Sequence, residues 1–199
     1  MILVTGATSA VGNAVIEELL ARKIPVRAFV HQPSAAEKLE AQGAEAFVGD
    51  ITERASAQKA LQGIERVYLI SPNTEQLFAI EQLWAEEARK AGIHYVAKQS
   101  EIGADPHSFS PLLQNHGRAE EAIRASGVPY SILRTLYFMQ NFGPMYAQSI
   151  ITSGMIFAPL ANARISYVDA RDVGIVDVHR LDLPIGVSAC SRNSRARGR

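Results

Sequence analysis

One cysteine, Cys190, in 199 residues rules out an internal disulfide and a thiolate metal cage. Charge of one sign is also missing: Lys plus Arg and Asp plus Glu each number 20, so the net charge is zero. No global field would then recruit nucleic acid or an anionic membrane, and a small ligand is the expected partner. No apolar run approaches the roughly 18 residues that a membrane span needs. The opening Met1-Ile2-Leu3-Val4 lacks a basic leader, so a cytoplasmic, reduced protein is expected. His31, His94, His107, His116 and His179 form no close ligand pair, and no metal is expected. There is no Gly-x-Ser-x-Gly elbow and no Gly-x-x-x-x-Gly-Lys loop, which sets hydrolase and kinase chemistry aside.

What is present is a short strand running into a glycine turn and a helix. Ile2 to Thr5 is apolar and β-branched, and Val11, Val15, Ile16, Leu19 and Leu20 recur at helical spacing beyond the turn. Gly6 would let the chain turn tightly and Gly12 would let the helix press on the strand. The helix amides are then free to face a pyrophosphate. Ser9 stands where the middle glycine of the pattern is usual, and its hydroxyl can donate a hydrogen bond. The expected cofactor-binding residues of this turn are Gly6, Thr8, Ser9, Ala10, Val11 and Gly12.

Strand and helix signals alternate from there on. Strands are expected at Pro25 to Val30, Glu45 to Val48, Val67 to Ile70, Ile93 to Lys98 and Tyr130 to Leu133. Helices are expected at Ser34 to Ala41, Arg54 to Gln62, Thr74 to Ala91 and Leu112 to Ala125. Gly43, Gly63, Gly92 and Gly127 each follow a helix, where a left-handed cap is wanted. The pattern is that of an α/β, Rossmann-like doubly wound parallel sheet. Residues 1–180 read as one dinucleotide-binding domain, of which 136–180 form a curtailed substrate-pocket region. Tyr137, Phe138, Met139, Phe142, Met145 and Tyr146 cluster in an expected helix, and on spacing alone such a stripe is core. A strand at Arg164 to Val168 follows. From Leu181 to Arg199 no period is visible, and Arg192, Arg195, Arg197 and Arg199 mark a basic tail expected to be disordered and solvated.

An acid about 20 residues past the glycine turn would clamp the ribose diol of NAD. No Asp or Glu occurs between Glu18 and Glu37, whereas Arg27 and His31 lie on one side of the second strand. NADP is therefore the expected cofactor, with NAD as the alternative, and Arg27 and His31 are candidates for its 2′-phosphate.

Six segments together resemble the NmrA-like family of atypical short-chain dehydrogenases/reductases: Val-Thr-Gly-Ala-Thr (4–8), Val-Gly-Asp (48–50), Leu-Ile-Ser-Pro (69–72), Gly-Ala-Asp-Pro (103–106), Phe-Met-Gln-Asn (138–141) and Val-Asp-Ala-Arg-Asp (168–172). The branch they look most like holds NAD(P)H-dependent quinone and triphenylmethane-dye reductases. The resemblance implies that Asp50 lies against the adenine with Ile51 beside it, and that Ser71 and Pro72 lie under the nicotinamide. It also implies that Ser100 matches a catalytic serine, and that Phe138 and Asn141 border the substrate. Asp50 as a mere helix cap is the competing reading.

Three departures stand out. Thr135 replaces a proline common after the arginine of the sixth strand, and the ending does not follow the family pattern. The usual tyrosine acid with a lysine four residues on is also missing, because the five lysines are preceded at that spacing by Leu19, Ser34, Ala55, Glu86 and His94. In its place stand His116 and Glu120 on one helical face. Their ion pair would raise the histidine's proton affinity and make it a candidate donor, although such a pair is more often a surface contact. Hydride transfer to a quinone or a conjugated acceptor needs little acid help. The reading is thus an NADPH-dependent oxidoreductase with a small-molecule electron acceptor. The alternatives are a non-catalytic redox-sensing NAD(P)-binding protein and an inactive truncated family member.

Overall fold

The computed structural model describes residues 1–156 and 166–182, without the side chains of residues 144 and 145. The expectations for residues 164 and 165, the side chain of Met145 and the arginine-rich tail from residue 183, Cys190 included, lie outside the described residues.

Six strands form one wholly parallel sheet: β1 (Ile2–Val4), β2 (Val26–Val30), β3 (Glu45–Val48), β4 (Arg66–Leu69), β5 (Tyr95–Glu101) and β6 (Tyr130–Thr135). Their spatial order is β3-β2-β1-β4-β5-β6, the doubly wound order in which the winding reverses between β1 and β4. Crossover helices cover both faces, as the unbroken apolar strands require. On one face lie α1 (Ala10–Ala21) and α2 (Pro33–Ala41), packed on Ile2, Val4, Ala28 and Ala97. On the other lie α3 (Arg54–Ala60), α4 (Leu77–Lys90) and α5 (Pro111–Ser126), packed on Leu3, Val67, Leu69 and Val96. The odd and even residues of each strand thus feed two separate cores.

Local chemistry sets the boundaries. Ser9 caps α1 by accepting the Gly12 N–H at 3.0 Å, and Pro33 and Pro111 open α2 and α5, where a missing N–H costs nothing. The four glycines named as caps all have positive φ. Trp84 of α4 packs edge-on against Phe29 at 5.2 Å and donates its indole N–H to the Ile51 carbonyl, so the turn after β3 is tied to the second core.

The structure departs from the sequence reading after β6. Tyr137–Phe138 is a strand, β7, paired in parallel with β8 (Tyr167–Val168) rather than the start of a helix. A 3-10 turn at Met139–Asn141 leads into α6 (Phe142–Ser153). The cause is Gln140, whose amide donates to Asp169 at 2.7 Å and accepts the Ala170 N–H at 2.9 Å, fixing this stretch to the segment after β8. Tyr137, Met139 and Phe142 are exposed, so the core reading of that stripe does not hold for them.

A seventh helix, α7 (Ala170–Asp182), escaped the sequence reading and runs two residues into the segment read as an aperiodic tail. Its buried residues Ala170, Val173, Gly174, Asp177, Val178 and Leu181 follow helical spacing, but Gly174 and Asp177 interrupt the apolar stripe and hide it. It packs alongside α1. Among the described residues no helix is long and apolar enough to cross a membrane.

Gly174 makes that packing close: a Cβ there would lie 2.9 Å from the Ala14 carbonyl carbon. Gly174→Val is therefore expected to push α7 off α1 and to cost about 1–3 kcal/mol. A thermal melt should show the loss as a lowered Tm.

Candidate active site

The glycine turn lies at the carboxyl end of β1, where the strand order reverses and a crevice opens. Gly6 has φ +57°, and a Cβ on it would stand 2.5 Å from Ile70. Gly12 is tighter still, because its Cβ would sit 2.2 Å from the Gly6 carbonyl oxygen. Both positions exclude a side chain, so α1 starts directly on the turn. Thr5 Oγ1 accepts the Ile70 N–H at 2.8 Å and donates to the Ile70 carbonyl at 2.7 Å, clamping the ends of β1 and β4 together beneath it. The Ser9 oxygen accepts within the cap, and its own proton is left for an acceptor outside. Val11 is buried under the helix start, so its backbone alone is available there.

Thr8, Ser9 and Ala10 border a hollow of about 500 Å³ with Asn13, Gln140 and Arg171. Gln140 and Arg171 were not expected from sequence. Arg171 is held against Asp169, whose carboxyl the guanidinium pulls well below its ordinary range. Phe138 is half-buried against the α1 side of the sheet, and Asn141 closes the 3-10 turn. A hollow of about 600 Å³ lies at the opposite end of the sheet, around Gly63, Gly92 and His94, and takes nothing from the glycine turn.

His31 is exposed immediately after β2, and Asp50 follows β3. The Thr52 hydroxyl and amide both donate to Asp50 Oδ1, and these bonds, with a smaller contribution from the nearby His31, hold its carboxyl below the usual range. Asp50 closes a turn rather than capping α3, whose cap position is Glu53. Ile51 sits beside it with its carbonyl on Trp84. Arg27 is placed differently from the expectation. It lies near the amino end of β2, its guanidinium bound to Glu45 at 2.6 Å and to the carbonyls of Ala60 and Gln62. It is spent on joining β2 to β3 and the loop after α3, at the wrong end of the strand to meet His31.

Below the ends of β4 and β5 lie two buried polar networks facing α4 and α5. In the first, the Ser71 hydroxyl donates to Glu81 at 2.6 Å, and Glu81 forms an ion pair with Lys98 in which both side chains are wholly buried. Lys98 Nζ stands 3.5 Å from His116 Nδ1, and His116 Nε2 stands 3.3 Å from Asn73 Oδ1. In the second, Ser100 donates to Glu120 at 2.7 Å, and Arg134 grips the same carboxylate at 2.8 and 2.6 Å. Pro72 leads from Ser71 into the loop that carries Asn73.

Two expectations are corrected here. His116 is buried rather than superficial, and its pKa is driven down to about 4, by desolvation first and by the Lys98 ammonium second. Glu120 only partly offsets this, since its oxygens serve Ser100, Arg124 and Arg134. The imidazole is neutral at neutral pH. Ser100 is also buried, with its hydroxyl committed to Glu120, so it braces α5 against β5 instead of facing an open groove.

Sequence reasoning missed Lys98 and Glu81 altogether. The signal was there: a lysine in the middle of an apolar strand has to be paired. It missed as well the network on the opposite face, where Tyr68, Gln99 and Asp177 meet. Tyr68 donates to Gln99 at 3.0 Å, and its oxygen lies 2.5 Å from Asp177. One phenolic proton cannot serve both, so the arrangement is complete when Asp177 is the acid and donates to the phenol. Burial raises the Asp177 pKa to about 7, and its other oxygen has no hydrogen-bond partner among the described residues.

The match to the family model of the NmrA-like family runs over residues 1–187. The chain belongs to that family. It is 31% identical to the NAD(P)H azoreductase of Xenophilus azovorans over 184 residues, covering 92% of this chain and 64% of the relative. Its fold is similar to that of the Citrobacter sp. triphenylmethane reductase complexed with NADP(H), with a TM-score of 0.80 and 28% identity, covering 92% of this chain and 66% of that one. It is similar also to the NADPH-dependent quinone oxidoreductase of Escherichia coli complexed with NADPH, with a TM-score of 0.76 and 29% identity over 87% of this chain and 62% of that one. The chain thus spans just under two thirds of the length of these relatives.

A pH dependence follows from Asp177. Its pKa is about 7 in the fold against an ordinary 3.8, so the folded state binds the extra proton between these values. Stability is then fully present below about pH 4 and is lost as the pH rises through about 7. His116, with its lowered pKa, works in the opposite sense, so the Asp177 contribution is read against Asp177→Asn: in denaturant titrations at pH 5 and pH 8 the parent should lose about 1–4 kcal/mol relative to that variant at the higher pH.

Proposed function

We propose that the chain is an NADPH-dependent oxidoreductase that passes hydride to a quinone-like or otherwise conjugated small-molecule acceptor. The single observation carrying this reading is the seat of Gly12 on the Gly6 carbonyl, which leaves the first amides of α1 bare at the switch point of the sheet. The relatives support the choice of cofactor and acceptor, since one is an NAD(P)H azoreductase and two structures hold NADP(H) or NADPH.

The chain's own groups divide the work. Gly6, Thr8, Ser9, Ala10, Val11 and Gly12 form the pyrophosphate turn: the N–H groups of Ser9 and Gly12 hold the turn itself, and those of Ala10 and Val11, with the spare Ser9 hydroxyl proton, are the donors to the phosphates. His31 meets the 2′-phosphate, and Asp50 with Ile51 borders the adenine. Ser71 and Pro72 lie on the nicotinamide side, and Phe138 and Asn141 border the acceptor. NADPH supplies the hydride when bound. The protein orients the donor and acceptor and keeps water away from them. A cationic dye becomes neutral on taking the hydride and needs no proton, whereas a quinone leaves a delocalised anion less basic than an alkoxide, so an acid other than the tyrosine that this chain lacks can serve it.

Steady-state oxidation of NADPH with a panel of quinones and cationic dyes tests the reading. Turnover with at least one acceptor is expected, and none with any would refute it. Cofactor binding without turnover would assign the chain to the redox-sensing alternative. Gly12→Ala should abolish cofactor binding in a fluorescence titration, because α1 has to lift off the turn. His31→Asp should shift the NADPH over NADH preference in kcat/KM toward NADH by about tenfold, roughly the value of one charge-assisted contact.

A further inference from the structure

We propose that Ser71, Glu81, Lys98 and His116 form a buried proton relay that carries a proton from solvent beside Glu101 to the reduced acceptor. The proposal rests on the reading of the site as a quinone-type reductase and adds to it the source of the proton.

The contacts run in one line from Ser71 to Asn73, with Glu101 just beyond hydrogen-bond reach of His116. The Ser71 hydroxyl donates to Glu81 Oε1 at 2.6 Å. Glu81 Oε2 is ion-paired with Lys98 Nζ. Lys98 Nζ lies 3.5 Å from His116 Nδ1, and His116 Nε2 lies 3.3 Å from Asn73 Oδ1 and 3.8 Å from Glu101 Oε2. Asn73 is exposed and the Glu101 side chain is 25% exposed, so the chain of groups reaches solvent at one end. At the other end is Ser71, on the nicotinamide side of the crevice. Gly117 seals the cover, because the loop at Asp105 and Pro106 lies where a Cβ of α5 would be, 2.2 Å away.

Stability gives no reason for such a pair. Two charges buried together cost about as much in desolvation as they recover, and an apolar pair of the same volume is often neutral or better. Its groups are instead suited to moving a proton. Burial raises the Glu81 carboxyl above its ordinary range despite Lys98, and burial likewise raises Glu101. His116 is a neutral imidazole with one nitrogen facing each neighbour.

Two-electron reduction of a quinone consumes one hydride and one proton. The hydride leaves a hydroquinone monoanion, and NADPH is the electron source. A proton moves from Lys98 to Glu81, giving a neutral amine and a carboxylic acid. The carboxyl group turns to present that proton to Ser71, which breaks its own O–H bond to protonate the anion and takes the Glu81 proton in the same shift. Neutral Lys98 no longer holds the imidazole, which exchanges its Nε2 proton for one on Nδ1 through solvent at the Asn73 and Glu101 opening; Nδ1–H then breaks to protonate Nζ as Nε2 takes a proton from the Glu101 side. The sum is one solvent proton delivered to the product. A cationic triarylmethyl dye accepts hydride to become neutral and needs no proton, so it bypasses the relay.

The test compares 1,4-naphthoquinone with malachite green. Two variants are made: the paired replacement Glu81→Gln with Lys98→Met, which leaves no unmatched buried charge, and His116→Gln. Thermal melts and NADPH fluorescence titrations verify folding and cofactor binding. In both variants the naphthoquinone rate is expected to fall at least about tenfold relative to the malachite green rate, less than the roughly hundredfold or more that full general acid catalysis supplies. A solvent deuterium isotope effect is expected on naphthoquinone reduction alone. In the cofactor-free protein, imidazole ¹⁵N spectra should show His116 protonated at Nε2 and bare at Nδ1, and this preference should vanish when Lys98 is replaced. Equal losses with both acceptors, or a His116 protonated at Nδ1 in the parent protein, would overturn the relay. A parent protein that reduces neither acceptor would overturn the reading of the site itself.

Discussion

The seat of α1 on the glycine turn is the constraint on which the rest depends. With 2.2 Å between a would-be Gly12 Cβ and the Gly6 oxygen, the helix has one position on the end of β1 and no room for another. Thr5 extends that fixity sideways by bonding Ile70 in both directions, so the ends of β1 and β4 move as one piece. The crevice at the switch point therefore has a rigid floor. Its walls follow: α7 can approach α1 because residue 174 is glycine, and Gln140 fastens the β7 segment to the start of α7.

Above this floor the protein spends buried polar groups in an unusual concentration. Lys98, Glu81, His116, Ser100 and Glu120 are buried on one face of the sheet, and Tyr68 and Asp177 on the other. Charges and acids placed so deep cost desolvation energy that better-packed apolar residues would avoid. Their common location beneath the carboxyl ends of β4, β5 and β6 ties that cost to the site. Burial then sets the protonation states in opposite senses, driving the His116 pKa to about 4 and the Asp177 pKa to about 7. A histidine kept neutral and an aspartic acid whose ionisation is delayed to about neutral pH both follow from burial.

The frame of the fold was legible before any coordinates. Alternating strand and helix signals, the capping glycines and the Gly6 to Gly12 turn give the parallel sheet with its helices, and the turn is where the chain predicts it. The part after β6 was harder. Tyr137 and Phe138 carry no period long enough to separate strand from helix, and their strand partner Tyr167–Val168 lies some thirty residues on. α7 was hidden because its inward stripe contains a glycine and an aspartate, each placed there by a neighbour: Ala14 for Gly174 and Tyr68 for Asp177.

Site residues divide along the same line. Gly6, Gly12 and Ser9 act through their own backbone and immediate neighbours, so local sequence determined their geometry. Alternation along β2 put Arg27 and His31 on one side, but it could not show that Arg27 lies at the amino end of the strand, away from the crevice, or that Glu45 would claim the guanidinium. Helical spacing paired His116 with Glu120, whereas packing gave His116 to Lys98 and Glu120 to Ser100 and Arg134. Sequence by itself determined the period, the turns and the strand–helix alternation that a parallel sheet requires, because these depend on residues a few positions apart. Only the tertiary structure decided which charges meet and which of them stay charged, because ion pairing and desolvation are set by groups brought together from distant strands and helices.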